Sequence, residues 1–185
     1  MDTQFDVPAG PVLIPLAAVL MTVSWFVLRR RGVLTGPRLV TAWAAILYLI
    51  GVLALTLLPL QVALGVHANQ VPWYDKASFI PLLTIDARTF MLNILLMVPL
   101  GLLAPVVLRV HDLLQLMLVA LCFSAVIEVV QFSTDVVLSS GRTADVNDLL
   151  ANVLGAVLGY VTWLGLNRFA AIRELTRRLT IPARR

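Results

Sequence analysis

Long runs of apolar residues, separated by short polar segments, make up most of the chain. An α-helix needs about 20 such residues to cross the hydrocarbon core of a bilayer. Five runs come close to or exceed that length, at about residues 11–28, 39–60, 90–108, 113–137 and 146–166. The pattern predicts an all-α fold, a polytopic transmembrane helical bundle of about five spans.

Composition strengthens this prediction, because 60% of the residues are hydrophobic and only 13% are charged. A soluble domain of 185 residues could not bury so much apolar surface, so we expect one integral-membrane domain over residues 1–185. The net charge of +4 would suit a protein that binds nucleic acid. The arginines cluster beside the apolar runs, however, and we therefore expect no nucleic acid partner.

The basic residues predict the orientation of the bundle, since Lys and Arg are enriched on the cytoplasmic side. With the N-terminus outside and the C-terminus in the cytoplasm, all but three of the 14 Lys and Arg residues lie inside. The three exceptions are Lys76, Arg88 and Arg142. Residues 167–185 form a basic cytoplasmic tail in this topology. Two interpretations of the tail stay open, an amphipathic helix on the inner leaflet or an ordinary stop-transfer cluster.

Polar side chains are concentrated at residues 128–152, within an otherwise apolar sequence. Residues spaced by three or four share one face of a helix. The fourth span carries on such a face Ser124, Glu128, Gln131 and Asp135. The fifth span carries on such a face Asp145, Asp148 and Asn152. A carboxylate inside a membrane is expensive, so Glu128 needs a partner or a functional role.

The third span adds Asn93, which lies about one helical turn below the outer boundary at a rise of roughly 1.5 Å per residue. Gln131 and Asn152 lie at a similar depth, and Glu128 lies about one turn deeper. Arg88 and Arg142 lie just above these helices. The sequence thus predicts an outward-facing polar cavity with an acidic floor and a basic rim.

Three kinds of chemistry fit this cavity. Guanidinium groups match phosphate or carboxylate anions bidentately. A buried carboxyl group such as Glu128 could act as a general acid or base. Asp145 and Asp148 could orient Arg142 or hold Mg²⁺ or Ca²⁺, although two carboxylates define no metal geometry. The candidate catalytic residues are Glu128, Arg142, Asp145 and Asp148. The candidate substrate-binding residues are Arg88, Asn93, Gln131 and Asn152. The sequence identifies neither a metal nor a cofactor.

A purely structural alternative stays open for the same residues. Glu128 could pair with Arg142 or Arg88 to lock helices together, and the amides could form hydrogen bonds between helices. On this interpretation Asp135 is solvated and Ser124 only packs. Gly155 and Gly159 fit close helix packing and require no chemistry.

Three segments carry a resemblance to the VanZ-like family of bacterial membrane proteins. Residues 78–82 are similar to N-x-I-P-F, and residues 93–101 are similar to N-x-x-x-F-x-P-x-G. The third and most specific segment is similar to E-x-x-Q…R-x-x-D-x-x-D-x-x-x-N-x-x-G, and it comprises Glu128, Gln131, Arg142, Asp145, Asp148, Asn152 and Gly155. Departures are Ser78 and Leu82 for Asn and Phe, and Met97 for Phe. The resemblance covers about residues 39–160, the predicted VanZ-like core.

The resemblance implies a multi-pass protein of the bacterial plasma membrane, associated through a named family member with low-level resistance to the glycopeptide teicoplanin. It points to the outer leaflet, with a membrane lipid or lipid-linked cell-wall precursor as the expected partner. Whether covalent chemistry occurs stays open. Two alternatives are a non-enzymatic scaffold of wall-synthesis machinery and a component of a lipid transporter or flippase, for which five spans would require a homo-oligomer or a partner.

Overall fold

Six helices account for most of the computed structural model, which describes residues 3–69, 71–72, 74, 77–78, 86–141 and 144–182. Within these residues, five helices are long and apolar enough to cross a membrane. They are α1 Ala9–Arg30, α2 Gly36–Thr56, α3 Ala87–Val107, α4 Leu113–Leu138 and α5 Val146–Leu166. A short sixth helix, α6, spans Ala170–Leu179. The prediction of an all-α bundle with five spans is confirmed.

Aspartates begin three of the five long helices. Asp86, Asp112 and Asp145 are the N-caps of α3, α4 and α5, and each carboxylate accepts hydrogen bonds from backbone N–H groups of the first turn. Such caps satisfy donors that have no partner within the helix, which matters most where water is scarce. In these three places, the polar segment that separates two apolar runs therefore also starts the next helix.

The closest helix pair in the bundle is α3 with α5, and glycines make this approach possible. A Cβ atom added to Gly155 would lie 2.2 Å from the carbonyl oxygen of Ile94. One added to Gly159 would lie 2.0 Å from the Val98 oxygen, and one on Gly101 would lie 2.0 Å from the Ala156 oxygen. These two backbones touch directly, as small residues allow in membrane helices.

The other helices pack around this pair. α4 lies against α5, and α1 lies against α2, where the Trp43 indole N–H donates to the carbonyl oxygen of Met21 at 3.3 Å. Buried side chains from four helices form the main apolar core, among them Val52, Met97, Leu100, Ile127 and Ala156. We call the end where α3 and α5 begin and α4 ends the polar end of the bundle.

Four short strands, none of them predicted from the sequence, supplement the helices in the described part of the chain. β1, Thr3–Val7, pairs antiparallel with β2, Leu60–Leu64. β3, Ala77–Ser78, pairs in parallel with β4, Ala144–Asp145. A 3₁₀ turn, Gly65–His67, follows β2. The strands span two to five residues, which is too short for alternation of side chains to be distinctive.

The end opposite the polar end carries most of the basic residues that the structure describes, and we call it the basic end. Here the last residue of α6 and the chain that follows lie against the bundle through their main-chain carbonyl groups. Thr41 Oγ1 donates to the carbonyl oxygen of Leu179 at 3.0 Å, and Arg31 donates to that of Pro182 at 2.7 Å. The Arg109 guanidinium donates twice to the carbonyl oxygen of Ile181. The tail thus forms a helix and a docked segment, while its position relative to the lipid stays a prediction.

Candidate functional site

The predicted polar residues gather at the polar end, where α4 passes into α5. Glu128 is 6% exposed, and its Oε2 accepts a hydrogen bond from the backbone N–H of Asp145 at 3.1 Å. Asp145 in turn caps α5, because its Oδ1 accepts from the backbone N–H of Asn147 at 2.9 Å. Glu128 therefore fixes the backbone at the start of α5, the helix that carries Asp148 and Asn152. In this structure Glu128 is a positioning residue.

Asp148 forms a second link, between α5 and α3. Its carboxylate lies close to the Asn93 side chain. Both Asp148 and Asp145 lie close enough to Glu128 for their charges to interact with it. The structure thus brings together predicted site residues from three spans around Asp145, the N-cap of α5. They are Glu128 of α4, Asp148 of α5 and Asn93 of α3.

Asn152 lies deeper and faces α4 instead. Its Nδ2 donates to Ser124 Oγ at 2.8 Å, and both side chains are buried. Asn152 Oδ1 is also buried and accepts no hydrogen bond from the described residues. This contact is a hydrogen bond between helices of the kind that the structural alternative predicted for the amides, and Ser124 is its acceptor rather than a mere packing residue.

Gln131 connects α4 to the end of α2. Its Nε2 donates to the carbonyl oxygen of Thr56 at 3.0 Å. Thr56 is the last residue of α2, so its carbonyl oxygen has no partner within the helix. Gln131 therefore holds the polar end of α2 against the rest of the bundle.

Asp135 differs from the expectation that it is solvated. It is only 1% exposed, and its Oδ1 accepts from the backbone N–H of Gly141 at 2.7 Å. The reason is that α4 ends at Leu138 and the chain turns back through Ser139 and Gly141, both of which have positive φ. This turn covers the carboxylate, and helical spacing alone gave no indication of it.

A partly open pocket of about 810 Å³ lies between α2, α3 and the start of α5. Polar residues line one part of it, namely Thr56, Asp86, Thr89, Asn93, Gln131, Asp145, Asn147 and Asp148. Apolar residues line the other part, including Tyr48, Val52, Leu55, Leu92, Leu95, Leu96 and Pro99. Glu128 and Asn152 do not line it. The predicted acidic floor is therefore formed by aspartates, with Glu128 behind them.

The basic rim was predicted from Arg88 and Arg142. Arg88 is exposed in the first turn of α3 and does not line the pocket, although the neighbouring Thr89 does. Arg142 lies outside the described residues, as do Lys76 and most of residues 78–82. The roles assigned to both arginines stay predictions.

Asp86 lines the pocket and is not among the residues predicted from the sequence. Hydrogen bonds from the Thr89 hydroxyl, and from the backbone N–H groups of Thr89 and Arg88, hold the pKa of Asp86 below its usual value. Asp is one of the residues preferred at helix N-caps, and this preference is the signal that could have identified Asp86. Asn147 was also missed, and it lies within the polar stretch itself.

Metal binding receives no support from side-chain clustering in the described part of the chain. No group of three or more His, Cys, Asp or Glu residues there is arranged to hold a metal ion. Asp145 and Asp148 both line the pocket, with Asp145 capping α5 and Asp148 close to Asn93. The arrangement offers several hydrogen-bond acceptors and amides to a polar ligand.

Comparison with family models matches residues 45–168 to the family described as VanZ/LLP1. Searches among curated proteins and among solved structures give no match. The matched segment contains α3, α4 and α5 entirely, together with the C-terminal half of α2, and so includes every residue described above as lining the pocket. Because the match covers well over half of the 185 residues and five helices can cross a bilayer, the chain is a multi-pass membrane protein and belongs to the VanZ/LLP1 family.

Proposed function

We propose that the protein acts on a lipid-linked precursor of the bacterial cell envelope, at the outer leaflet of the plasma membrane, through the pocket at its polar end. The observation that carries the proposal is the pocket's mixed lining, in which carboxylates and amides pass directly into leucines of membrane-spanning helices. A lipid with a polar head group has the same two-part chemistry. The resemblance separately implies an association with glycopeptide resistance.

The position of the basic residues supports placing the pocket at the outer leaflet. Arg29, Arg30, Arg31 and Arg109 lie at the basic end, as does α6. The polar end lies at the other side of the five spans. Because arginines are enriched on the cytoplasmic side, this distribution favours an outward-facing pocket.

The polar lining suits a head group rich in hydroxyl and amide groups. Asp145 and Asp148 offer carboxylate oxygens, and Asn93 and Gln131 offer amides. A phosphate or carboxylate on the ligand would need a cation, for which Arg142 is the candidate from sequence because it directly follows Gly141, a lining residue. Arg88 is the second candidate, from the exposed start of α3.

Glu128 has two separable roles in this proposal, and two variants distinguish them. Glu128→Gln retains an oxygen that can accept the Asp145 N–H but removes the ionisable group. Glu128→Leu removes both. If Glu128 supplies acid or base chemistry, Glu128→Gln abolishes turnover and leaves the fold intact. If Glu128 only positions Asp145, Glu128→Gln is active and Glu128→Leu loses stability.

The experiment incubates the purified protein with a lipid-linked wall precursor and records mass spectra of protein and lipid. A change in precursor mass with wild type and not with Glu128→Gln would identify an enzyme and its reaction. Retention of unchanged precursor, weakened by Arg142→Ala and Asp148→Asn, would identify a binding protein. Absence of both turnover and retention would contradict the proposal and favour the scaffold alternative.

A further inference from the structure

The pocket is open towards the side of the bundle, between α2 and α3. Leu55, Leu92 and Leu95 line it and are nevertheless 69%, 54% and 61% exposed. All three lie in helices that can span the membrane. Side chains that are exposed on such helices face the hydrocarbon of the bilayer. The interior of the pocket is therefore continuous with the lipid phase.

This opening has two defined ends. At the polar end, Gln131 ties the last residue of α2 to α4 through the Thr56 carbonyl oxygen. Further along, the Tyr48 hydroxyl donates to Met97 Sδ at 3.4 Å and connects α2 to α3. Tyr48 precedes Thr56 by two turns of helix, so the opening is roughly 12 Å long at about 1.5 Å per residue. We call it the window and define it by Gly51, Leu55, Leu92 and Leu95.

The walls of the window leave space for a chain. A Cβ atom added to Gly51 would meet no atom within 4 Å. Opposite Gly51, the side of α3 that lines the pocket carries Leu92, Leu95 and Pro99, so both walls are apolar. Asn93 and Asp148 lie at the polar side of the same pocket. A polar part and an apolar part are thus joined in one space.

We propose that the window admits the hydrocarbon chain of the lipid-linked precursor directly from the bilayer, while the head group of that lipid lies beside the carboxylates and amides at the polar end. This inference rests on the proposed function and specifies how its ligand is held. A chain in the window would exchange one apolar environment for another. The specificity for the ligand therefore resides in the head group, and the window sets the side from which the ligand enters.

Photo-crosslinking tests the window directly. Wild type is reconstituted into phosphatidylcholine nanodiscs with an isoprenoid phosphate that carries a diazirine in its chain, irradiated, and digested for mass spectrometry. We expect labels concentrated on residues 48–56 and 92–99. Labels spread evenly over exposed leucines such as Leu118 and Leu158, on the outer faces of α4 and α5, would overturn the proposal.

A variant that fills the window sharpens this test. Gly51→Phe introduces a ring where the structure shows open space. Gly165→Phe is the matched control, because Gly165 is exposed near the other end of α5 and also has nothing within 4 Å of an added Cβ. We expect labelling to fall on the order of tenfold in Gly51→Phe and to be unchanged in Gly165→Phe. Equal labelling in both variants would contradict the window.

A second copy of the chain is the competing occupant. Leu95→Cys in a Cys122→Ala background exposes a single thiol at the window. Disulfide-linked dimers formed in membranes would show that another copy covers the opening and would overturn the proposal. Monomers whose thiol reacts with a membrane-soluble maleimide would support it.

The window and the proposed function can fail separately. If wild type neither retains nor alters the lipid-linked precursor but isoprenoid phosphate still labels the window, the assignment of the head group fails and the window stands. If a soluble head-group analogue binds wild type and Gly51→Phe equally, while only wild type binds the chain-bearing probe, the proposed function and the window are both supported. If Gly51→Phe binds the chain-bearing probe as wild type does, the window fails.

Discussion

The two sides of α3 differ sharply in how closely they pack. On the α5 side, glycines bring the two backbones into direct contact over two turns of helix. On the α2 side, the helices leave the pocket between them and meet through Tyr48 and Met97. The same helix therefore belongs to a close-packed pair and forms one wall of an opening.

The two sides of α3 also differ in what they contribute to the pocket, because α5 and its cap contribute polar residues and α2 contributes mainly apolar ones. Asn93, Asp145 and Asp148 belong to the α3–α5 side, whose geometry the glycine contacts fix. The α2 side contributes apolar residues and is held by side-chain contacts at the two ends of the window. A rigid polar surface faced by a less constrained apolar wall is suited to recognise a fixed head group and to accommodate variable chains.

The largest effect is expected from Gly155→Ala, because the new methyl group would lie 2.2 Å from the Ile94 carbonyl oxygen. The clash involves backbone on both sides, so the helices must separate. We expect a loss of about 3 kcal/mol of unfolding free energy, at the upper end of typical overpacking costs, and loss of pocket function. Thermal denaturation in detergent micelles measures the first effect, and precursor retention measures the second.

Gly51→Ala is the matched control on the open side, where an added Cβ meets nothing within 4 Å. We expect no loss of stability from it, because alanine is a better helix residue than glycine. Equal destabilisation by the two substitutions would show that the two sides of α3 do not differ as described.

A smaller effect is expected from the hydrogen bonds between helices. Asn152→Leu removes the buried donor to Ser124 on the close-packed side and should cost about 1 kcal/mol. Gln131→Met removes the bond to Thr56 on the open side and should cost less, roughly 0.6 kcal/mol, while increasing labelling of the window. Denaturation curves and photo-crosslinking yields measure the two effects. Thr162→Val is the control, since that hydroxyl bonds within its own helix at an exposed position.

The smallest effect is expected at Glu174 in α6, away from both sides of α3. Hydrogen bonds from Arg177 and Arg178 lower the pKa of Glu174 from 4.5 to about 2. Because the folded-state pKa is depressed, the pairs stabilise α6 above about pH 4.5 and are lost as the pH falls towards 2. An NMR titration of the Glu174 carboxyl carbon measures this pKa. Between pH 5 and 8 we expect no change at Glu174 and no effect of Glu174→Gln on labelling of the window.

Much of the fold was predictable because apolar length is a strong indicator of membrane spans. Predicted run 146–166 coincides with α5, and 113–137 ends one residue short of α4. At the start of α3 the run was predicted at residue 90, whereas the helix begins at Ala87 because Asp86 caps it. Arg88 and Thr89 in the first turn of α3 are polar and do not contribute to an apolar run, so the start of this helix was placed too late.

The site was partly predictable for a similar reason. Spacing placed Asp145 and Asp148 on one face, and both line the pocket. Spacing could not show that Glu128 bonds to a backbone N–H, or that the turn after α4 covers Asp135, because neither contact follows from helical periodicity. The window depends on α2 packing sparsely against α3, which is a tertiary property that no local pattern encodes.

The docked segment after α6 has a consequence for how this protein can vary. Thr41, Arg31 and Arg109 recognise the carbonyl oxygens of Leu179, Pro182 and Ile181, which every amino acid possesses. The side chains of these three residues can therefore vary among homologues, because only their backbone oxygens are contacted. A deletion or insertion in this segment would, by contrast, displace those oxygens from their donors. Among related chains, we expect this segment to keep its length while its residue types change. The three donor residues Thr41, Arg31 and Arg109 should stay constant.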